Sequence, residues 1–217
     1  MGTFLPYVDL GTDEFVIAVS VGGRHTCAVL GSNNIKCWGE NVEDELGYGD
    51  TRPRGGSSAD DRMGDNLPTV DLGTNFSVAD VCVVSYTTGM LRLYTAATCA
   101  LSTVGTIKCW GSGYVPSNSA SGGRLGQMGD NLPVMDFGAS RFATSMSCLE
   151  GDVCVILDNN VVKCWGKSSS TRGYVPEDMG DNLAAIALPD TGSVPASIEC
   201  GQSHCCVLLL DGTVRCF

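Results

Sequence analysis

The amino-acid sequence predicts an all-β repeat protein. Two phrases recur along the 217 residues, glycine fills 28 positions, and no long apolar run has the period of a helix. Neighbouring copies lie between 51 residues (Met128 to Met179) and 72 residues (Cys27 to Cys99) apart. This period exceeds that of helical repeats and lies in the range of propeller blades.

The first phrase reads Met-Gly-Asp-Asn-Leu-Pro-x-Val-Asp-Leu-Gly. It is complete at Met63–Gly73, has three differences at Met1–Gly11, and is shorter where it begins at Met128 and Met179. Within one array over residues 1–217 it marks four approximate units, 1–62, 63–127, 128–178 and 179–217, the last truncated. The chain opens on a unit boundary, so we interpret it as a slice of a longer repeat protein or larger propeller.

The second phrase, Cys-x9-Cys-Trp-Gly, predicts a disulfide-bonded β-hairpin in each unit. The third loop position is Asn33, Gly105, Asn160 or Gly212, as a type I turn with a G1 bulge requires. The cysteines then face each other in a non-hydrogen-bonded pair, with Cα atoms about 4.5 Å apart, which a disulfide can span. The predicted pairs are Cys27–Cys37, Cys99–Cys109, Cys154–Cys164 and Cys206–Cys216.

Four of the twelve cysteines remain: Cys82, Cys148, Cys200 and Cys205. Cys82, Cys148 and Cys200 each follow a recurring apolar residue by six positions, and we therefore assign these three cysteines to one repeat position. Four cysteines allow three pairings. We favour Cys200 with Cys205 across a tight turn and Cys82 with Cys148 between neighbouring units. Spacings of ten suit disulfides better than zinc, and so many cysteines predict an oxidising compartment.

Each unit is predicted to contain four short strands, which gives a β-propeller of four-stranded blades. In the second unit the first strand lies around Leu67–Leu72, the second around Val78–Val83, and the cysteine hairpin supplies the rest. Hairpin strands that are apolar on both faces indicate blades covered on both sides. Extra residues within Val83–Ala97 predict an added β-hairpin, which either contacts a neighbour or lies on its own blade. Polar, glycine-rich loops follow each Trp-Gly.

Charge and hydropathy exclude several functions. A net charge of −11 argues against nucleic-acid binding, which needs a basic surface. No apolar stretch approaches the roughly 18 residues of a transmembrane helix, so none is predicted in this segment. His25 and His204 each precede a hairpin cysteine by two residues, and no nucleophile context surrounds them. We therefore predict structural histidines, no catalytic residue, no metal and no cofactor.

Several other groups have a binding interpretation that we consider weaker than a structural one. The cluster of Cys200, His204, Cys205 and Cys206 has zinc-ligand chemistry but suits disulfides better. Acidic groups such as Asp65 could ligate calcium, although a solvated surface explains them better. The three tryptophans could stack on sugars, and we expect them instead to pack between blades. They are Trp38, Trp110 and Trp165.

Asn75-Phe76-Ser77 is an acceptor sequence for N-linked glycosylation between two strands. We expect a surface position for Asn75 and treat its glycosylation as an open alternative. Serines near Pro116 and Pro176 are candidates for O-linked glycans.

The sequence resembles the regulator of chromosome condensation repeat, whose superfamily includes the β-lactamase inhibitor proteins. The residues that carry the resemblance are Gly22–Leu30, Ile35–Asn41 and Glu45–Asp50, and the pattern recurs in all four units. It implies a β-propeller with four-stranded blades, typically seven. Phe217 replaces an expected Trp, and Asp152 stands where the first and fourth units have His25 and His204. The nuclear activities of the founding member are not expected in an acidic, cysteine-rich chain.

The paired cysteines and the methionine phrase resemble a variety found in secreted and surface proteins of algae and other microbial eukaryotes, including mastigoneme-type proteins. We therefore expect a non-enzymatic, extracellular structural module of a filament, flagellar surface, matrix or cell-surface coat. Its expected partners are other copies of itself or neighbouring subunits. The alternative is a secreted recognition module that binds a protein or glycan through its long loops.

Overall fold

The computed structural model describes residues 6–56, 63–88, 93–112, 125–166, 176–188 and 192–217. Within these ranges thirteen strands form four antiparallel sheets, and there is no α-helix. The all-β prediction is confirmed. The strands are β1 (Val16–Val21), β2 (His25–Leu30), β3 (Ile35–Gly39), β4 (Val78–Thr88), β5 (Leu93–Ser102), β6 (Ile107–Gly111), β7 (Ala143–Leu149), β8 (Asp152–Leu157), β9 (Val162–Gly166), β10 (Ala185–Ile186), β11 (Pro195–Cys200), β12 (Cys205–Leu209) and β13 (Val214–Cys216).

The four cysteine hairpins have the predicted turn. Asn33, Gly105, Asn160 and Gly212 have φ values of 60°, 84°, 65° and 83°, which lie in the left-handed region. In the first hairpin the Asn33 N–H donates to the carbonyl of Leu30 at 2.9 Å, which closes the turn. This geometry places Cys27 opposite Cys37 and fixes the same register in the other three hairpins.

The methionine phrase completes the sheet of the preceding unit. The Val70 N–H donates to the carbonyl of Ile35 in β3 at 2.9 Å, and Ile186 in β10 pairs with Val162 in β9. The prediction that Leu67–Leu72 begins the sheet of its own unit is therefore wrong. After each of the first three hairpins the chain returns to the open edge of the same sheet, because that edge still has unpaired backbone groups.

We define four blades from these sheets. Blade 1 is β1–β3 with residues 67–72, blade 2 is β4–β6 with residues 132–137, blade 3 is β7–β10, and blade 4 is β11–β13. The forward face of a blade is turned towards the next blade along the chain, and the rear face is the opposite one. Between blades 1 and 2, Val29 and Ile35 on the forward face pack with Val81, Ala100 and Trp110 on the rear face. Equivalent apolar layers join blades 2 and 3 and blades 3 and 4.

The added hairpin of the second unit is a continuation of β4 and β5. Their pairing extends from Cys82↔Cys99 to Thr88↔Leu93, and the connecting residues 89–92 lie outside the described ranges. The Ser85 hydroxyl accepts a hydrogen bond from the Gly23 N–H in the β1–β2 turn at 2.9 Å. The extension therefore contacts the neighbouring blade of the same chain.

A buried lysine joins consecutive copies of the methionine phrase. Lys108 Nζ donates to the carbonyls of Leu72 and Gly129 at 2.8 and 2.9 Å. Lys36 and Lys163 hold the equivalent carbonyls in their units. A charged donor thus joins the two phrases, and the Gly129 carbonyl also accepts a hydrogen bond from the Leu132 N–H at 3.2 Å. We did not single out these lysines from the sequence, although each precedes a Cys-Trp-Gly.

Candidate interaction surfaces

All twelve cysteines are bonded in the structure. Each hairpin bond joins directly opposite residues whose Cα atoms lie 4.0 to 4.1 Å apart. Cys200 and Cys205 are likewise opposite each other, between β11 and β12. The sixth bond joins Cys82 of blade 2 to Cys148 of blade 3, with Cα atoms 5.6 Å apart. This is the disulfide that joins two blades.

Cys82 does not share a register position with Cys148 and Cys200, so the sequence alignment of these three is wrong. Cys82 faces the hairpin cysteine Cys99, whereas Cys148 faces Val153, which precedes its hairpin cysteine. Because side chains alternate along a strand, an offset of one residue turns Cys82 to the forward face and Cys148 to the rear face. The offset lets the two sulfur atoms meet between the blades.

The first strand of each blade (β1, β4, β7 or β11) is its inner strand. At all three interfaces the inner strands meet through the register positions of Cys82 and Cys148. The Ser20 hydroxyl of blade 1 accepts a hydrogen bond from the Val83 N–H at 2.9 Å. The Ser147 hydroxyl of blade 3 accepts one from the Cys200 N–H at 3.0 Å. Between blades 2 and 3 the disulfide takes the place of this hydrogen bond. A forward-facing side chain therefore reaches the next inner strand at each interface.

The forward face of blade 4 is apolar and exposed. Leu208 and Val214 occupy the register positions of Val29 and Ile35. Their exposed fractions are 41% and 52%, compared with 0% for both residues in blade 1. β13 also has no fourth strand beside it among the described residues. Blade 4 thus presents the kind of surface that the earlier blades bury.

The rear face of blade 1 is the complementary exposed surface. Val19 and Val21 are 60% and 71% exposed, whereas Val81, at the register position of Val19, is 4% exposed. Leu10 packs against Ala28 and covers another part of this face. Among the described residues, no other blade covers the forward face of blade 4 or these residues on the rear face of blade 1.

His25 is buried between blades 1 and 2 and is neutral. The Thr98 hydroxyl donates to the carbonyl of Glu45 at 2.8 Å, so the contact of 2.9 Å between His25 Nε2 and Thr98 Oγ1 needs the imidazole as donor. Nδ1 has no partner within the described residues. Burial lowers the pKa of His25 to about 4, because a charged ring would be poorly solvated there.

Glu45 inserts from the loop after β3 into the same interface. Its carbonyl also accepts a hydrogen bond from Trp110 Nε1 at 2.9 Å, and its carboxylate accepts one from the Glu43 N–H at 2.7 Å. Burial raises the pKa of Glu45 to about 7. His25 and Glu45, 2% and 0% exposed, thus lie in an interior contact between blades. The sequence analysis did not identify Glu45, which opens the Glu-Leu-Gly of the repeat.

The structure also places the other residues that the sequence analysis considered for binding. Trp110 and Trp165 are fully buried, while Trp38 on the rear face of blade 1 is partly exposed. His204 is exposed, and the sulfur atoms that converge nearby are those of Cys154, Cys200 and Cys205, all in disulfides. The Asp65 carboxylate accepts hydrogen bonds from both the N–H and the hydroxyl of Thr12.

Asn75 lies in the exposed turn that precedes β4. It has a φ of 63°, and both Asn75 and Ser77 are exposed. The acceptor is therefore accessible. The serine-rich segments near Pro116 and Pro176 lie outside the described residues.

Comparison with known sequences identifies the repeat. A model described as the regulator of chromosome condensation (RCC1) repeat matches residues 16–44 and 196–217. The chain carries RCC1-like repeats. The matched segments cover β1, β2 and β3 of blade 1 and most of blade 4. A search of curated proteins finds no match. In the described part of the chain, no helix has the length and apolar character needed to cross a membrane.

Solved structures support the propeller fold of these RCC1-like repeats. The structure of human WBSCR16 superposes with a TM-score of 0.63 and 16% identity, over 95% of this chain and 48% of that one. Yeast RCC1 (Prp20) bound to Kap60 gives a TM-score of 0.60 and 16% identity, over 93% of this chain and 43% of that one. The chain thus spans less than half the length of these two proteins, and at this identity the likeness concerns the fold.

Proposed function

We propose that the chain is a non-enzymatic structural and assembly module of a secreted protein, within an extracellular filament or cell-surface coat. The observation that carries this proposal is the pair of exposed apolar faces, one on blade 1 and one on blade 4. They have the composition and register of faces that are buried between the other blades. Surfaces of this kind bind a matching partner. Contact between the forward face of one copy and the rear face of another would give a head-to-tail assembly.

The disulfides support the extracellular part of the proposal. Six disulfides in 217 residues are typical of proteins that fold in an oxidising compartment. The exposed Asn75 acceptor is compatible with N-glycosylation on the same route. Treatment of the secreted protein with a glycosidase, followed by mass measurement, tests the glycan.

Electron microscopy of the native protein, alongside non-reducing electrophoresis, tests the assembly role. Fibres with an axial repeat that loosen in reductant would support it. Monodisperse particles in both conditions would contradict it and favour the alternative function.

The alternative is a secreted recognition module. A cavity of about 400 Å3 beside the loop after β3 favours it, and its lining includes Tyr48, Arg54, Leu125 and Met128. The mixed aromatic and cationic lining suits a small polar ligand such as a glycan. Loss of glycan binding in Leu125→Ser, with wild-type assembly retained, would support this function over the first.

A further inference from the structure

The interface between blades 3 and 4 brings two disulfides into contact. The Sγ atoms of Cys154 in blade 3 and Cys205 in blade 4 are 3.5 Å apart, although each is bonded to a different partner. With the Sγ atom of Cys200 they form a group of three sulfur atoms within 4.8 Å of one another. A separation of about 3–3.5 Å is that of reacting atoms before a bond forms. A thiolate at Cys205 would therefore lie within reach of the disulfide at Cys154.

The interface between blades 2 and 3 shows how this contact arises. Cys154 has the register position of Cys99, and both pack on the forward face of their blade. Cys205 has the register position of Val153, and both pack on the rear face. A cysteine at this position thus places a further sulfur atom beside a hairpin disulfide, where the other interface has a valine.

The cysteines of the two disulfides differ in exposure. Cys154 and Cys164 are each 1% exposed and Cys205 is 2% exposed, whereas Cys200 is half-buried. A thiol from solution therefore reaches Cys200 first, and its attack there makes Cys205 the leaving group. The backbone N–H and carbonyl of Cys205 are both hydrogen-bonded to Phe217 at 2.9 Å, which holds the released sulfur atom beside Cys154.

We propose that this cluster is a site of thiol–disulfide exchange, with a thiol as co-reactant. The thiolate of the co-reactant bonds to Sγ of Cys200, and the Cys200–Cys205 bond breaks to leave a thiolate at Cys205. The Cys205 thiolate bonds to Sγ of Cys154, and the Cys154–Cys164 bond breaks. The Cys164 thiolate takes up a proton from the thiol. A second thiol group then displaces Cys200 from the mixed disulfide as a thiol.

The exchange consumes one dithiol. Two disulfides and the dithiol become the Cys154–Cys205 disulfide, one oxidised dithiol and the thiols of Cys164 and Cys200. The Cys164 thiol stays in an apolar cluster, which suits an uncharged thiol. The new bond joins blade 3 to blade 4, as one disulfide already joins blade 2 to blade 3. It forms within one chain and does not rest on the proposed assembly.

Limited reduction with dithiothreitol, followed by alkylation of the new thiols and tryptic peptide mapping, tests the exchange. Trypsin cleaves after Lys163 and Lys167, so residues 164–167 carry Cys164 without another cysteine. Residues 109–124 likewise carry Cys109 alone. The disulfide of Cys109 has the same place in its hairpin but packs with Val153, so it is the internal control.

The exchange has a defined pattern of products. At the lowest dithiothreitol concentration that opens a disulfide, we expect alkylation at Cys164 and Cys200 and a cross-linked peptide that contains the Cys154–Cys205 bond. Alkylation at Cys109 should be about tenfold lower than at Cys164. Alkylation at Cys200 and Cys205 with Cys164 protected would show simple reduction and overturn the proposal. Equal alkylation of Cys164 and Cys109, or opening of all disulfides together, would also overturn it.

Two double variants test the geometry separately. Cys164→Ser/Cys200→Ser keeps the two cysteines that the exchange joins, and after oxidation we expect a Cys154–Cys205 disulfide. Cys200→Ser/Cys205→Ser keeps the hairpin disulfide without the attacking sulfur atom, so Cys164 should be alkylated no faster than Cys109. Free thiols in the first variant, with a wild-type circular dichroism spectrum, would contradict the proposal. Undiminished alkylation of Cys164 in the second would contradict it as well.

Discussion

Replacement of Lys108 by methionine should destabilise the fold more than any surface substitution. Lys108 is 6% exposed, and its ammonium donates to two carbonyls, at 2.8 and 2.9 Å, and lies 5.4 Å from the centre of the Phe76 ring. Burial lowers its pKa, while Asp130 and Asp71 act in the opposite direction. The substitution keeps the apolar stem and removes the charged donor.

The magnitude follows from the two hydrogen bonds. A bond to a charged group contributes about 1.5–3 kcal/mol, and a buried carbonyl without a partner, here that of Leu72, costs about 1–3 kcal/mol. The Gly129 carbonyl keeps its bond from the Leu132 N–H. Relief from burying the ammonium offsets part of the loss. We therefore expect Lys108→Met to reduce the free energy of unfolding by about 2–4 kcal/mol.

Urea unfolding of the oxidised protein, followed by tryptophan fluorescence, measures this loss. Arg215→Met is the matched control, since Arg215 has the same register position in blade 4 but is more exposed and bonds only to its neighbour. We expect a change within about 0.5 kcal/mol for the control. Equal losses in the two variants would refute the idea that the buried lysine joins the phrases.

Three further predictions concern other parts of the fold. Glu45→Gln should stabilise the protein at pH 8, and the gain of up to about 3 kcal/mol should vanish as the pH falls to 4.5. The double variant Cys82→Ser/Cys148→Ser should lose about 4 kcal/mol in urea unfolding, because its loop spans 66 residues. Gly111→Ala should cost more stability than Gly212→Ala. Both glycines have positive φ, but a Cβ at Gly111 would lie 2.5 Å from the carbonyl oxygen of Ala96, whereas nothing lies within 4 Å at Gly212.

The sign of the pH prediction follows from the two buried groups. Burial raises the folded pKa of Glu45 to about 7. Its contribution to the free energy of unfolding is therefore complete below about pH 4.5 and is lost as the pH rises through 7. Burial lowers the folded pKa of His25 to about 4. The contribution of His25 to the free energy of unfolding is therefore complete above about pH 6.5 and is lost as the pH falls through 4. Between about pH 4.5 and 6.5, a rise in pH lowers the free energy of unfolding through Glu45 and raises it through His25. A Glu45→Gln gain that does not change with pH would contradict this assignment.

The hairpins were predictable because their signals are local. A turn residue such as Asn33 restricts the backbone, and the turn fixes which residues face each other a few positions away. The same reasoning failed for Leu67–Leu72. Sequence order places this segment with the strands that follow it, whereas the open edge that it pairs with belongs to the hairpin before it.

The contacts between blades were harder to predict. An offset of one residue at Cys82 changes the face to which its side chain points, and a count from a distant apolar residue cannot resolve a single position. Lys108 and Glu45 were missed because charged residues are rarely buried, and only the folded chain shows the carbonyls and the interface that accommodate them.

Sedimentation velocity of the oxidised chain over a range of concentrations tests the central claim, that the end faces of the blade array associate. The informative variant is Leu208→Lys/Val214→Lys, which places two charges on the forward face of blade 4 and leaves the interfaces between blades intact. The account predicts that the sedimentation coefficient of the wild-type chain rises with concentration while that of the variant stays constant. A wild-type coefficient that stays at the monomer value throughout would contradict it.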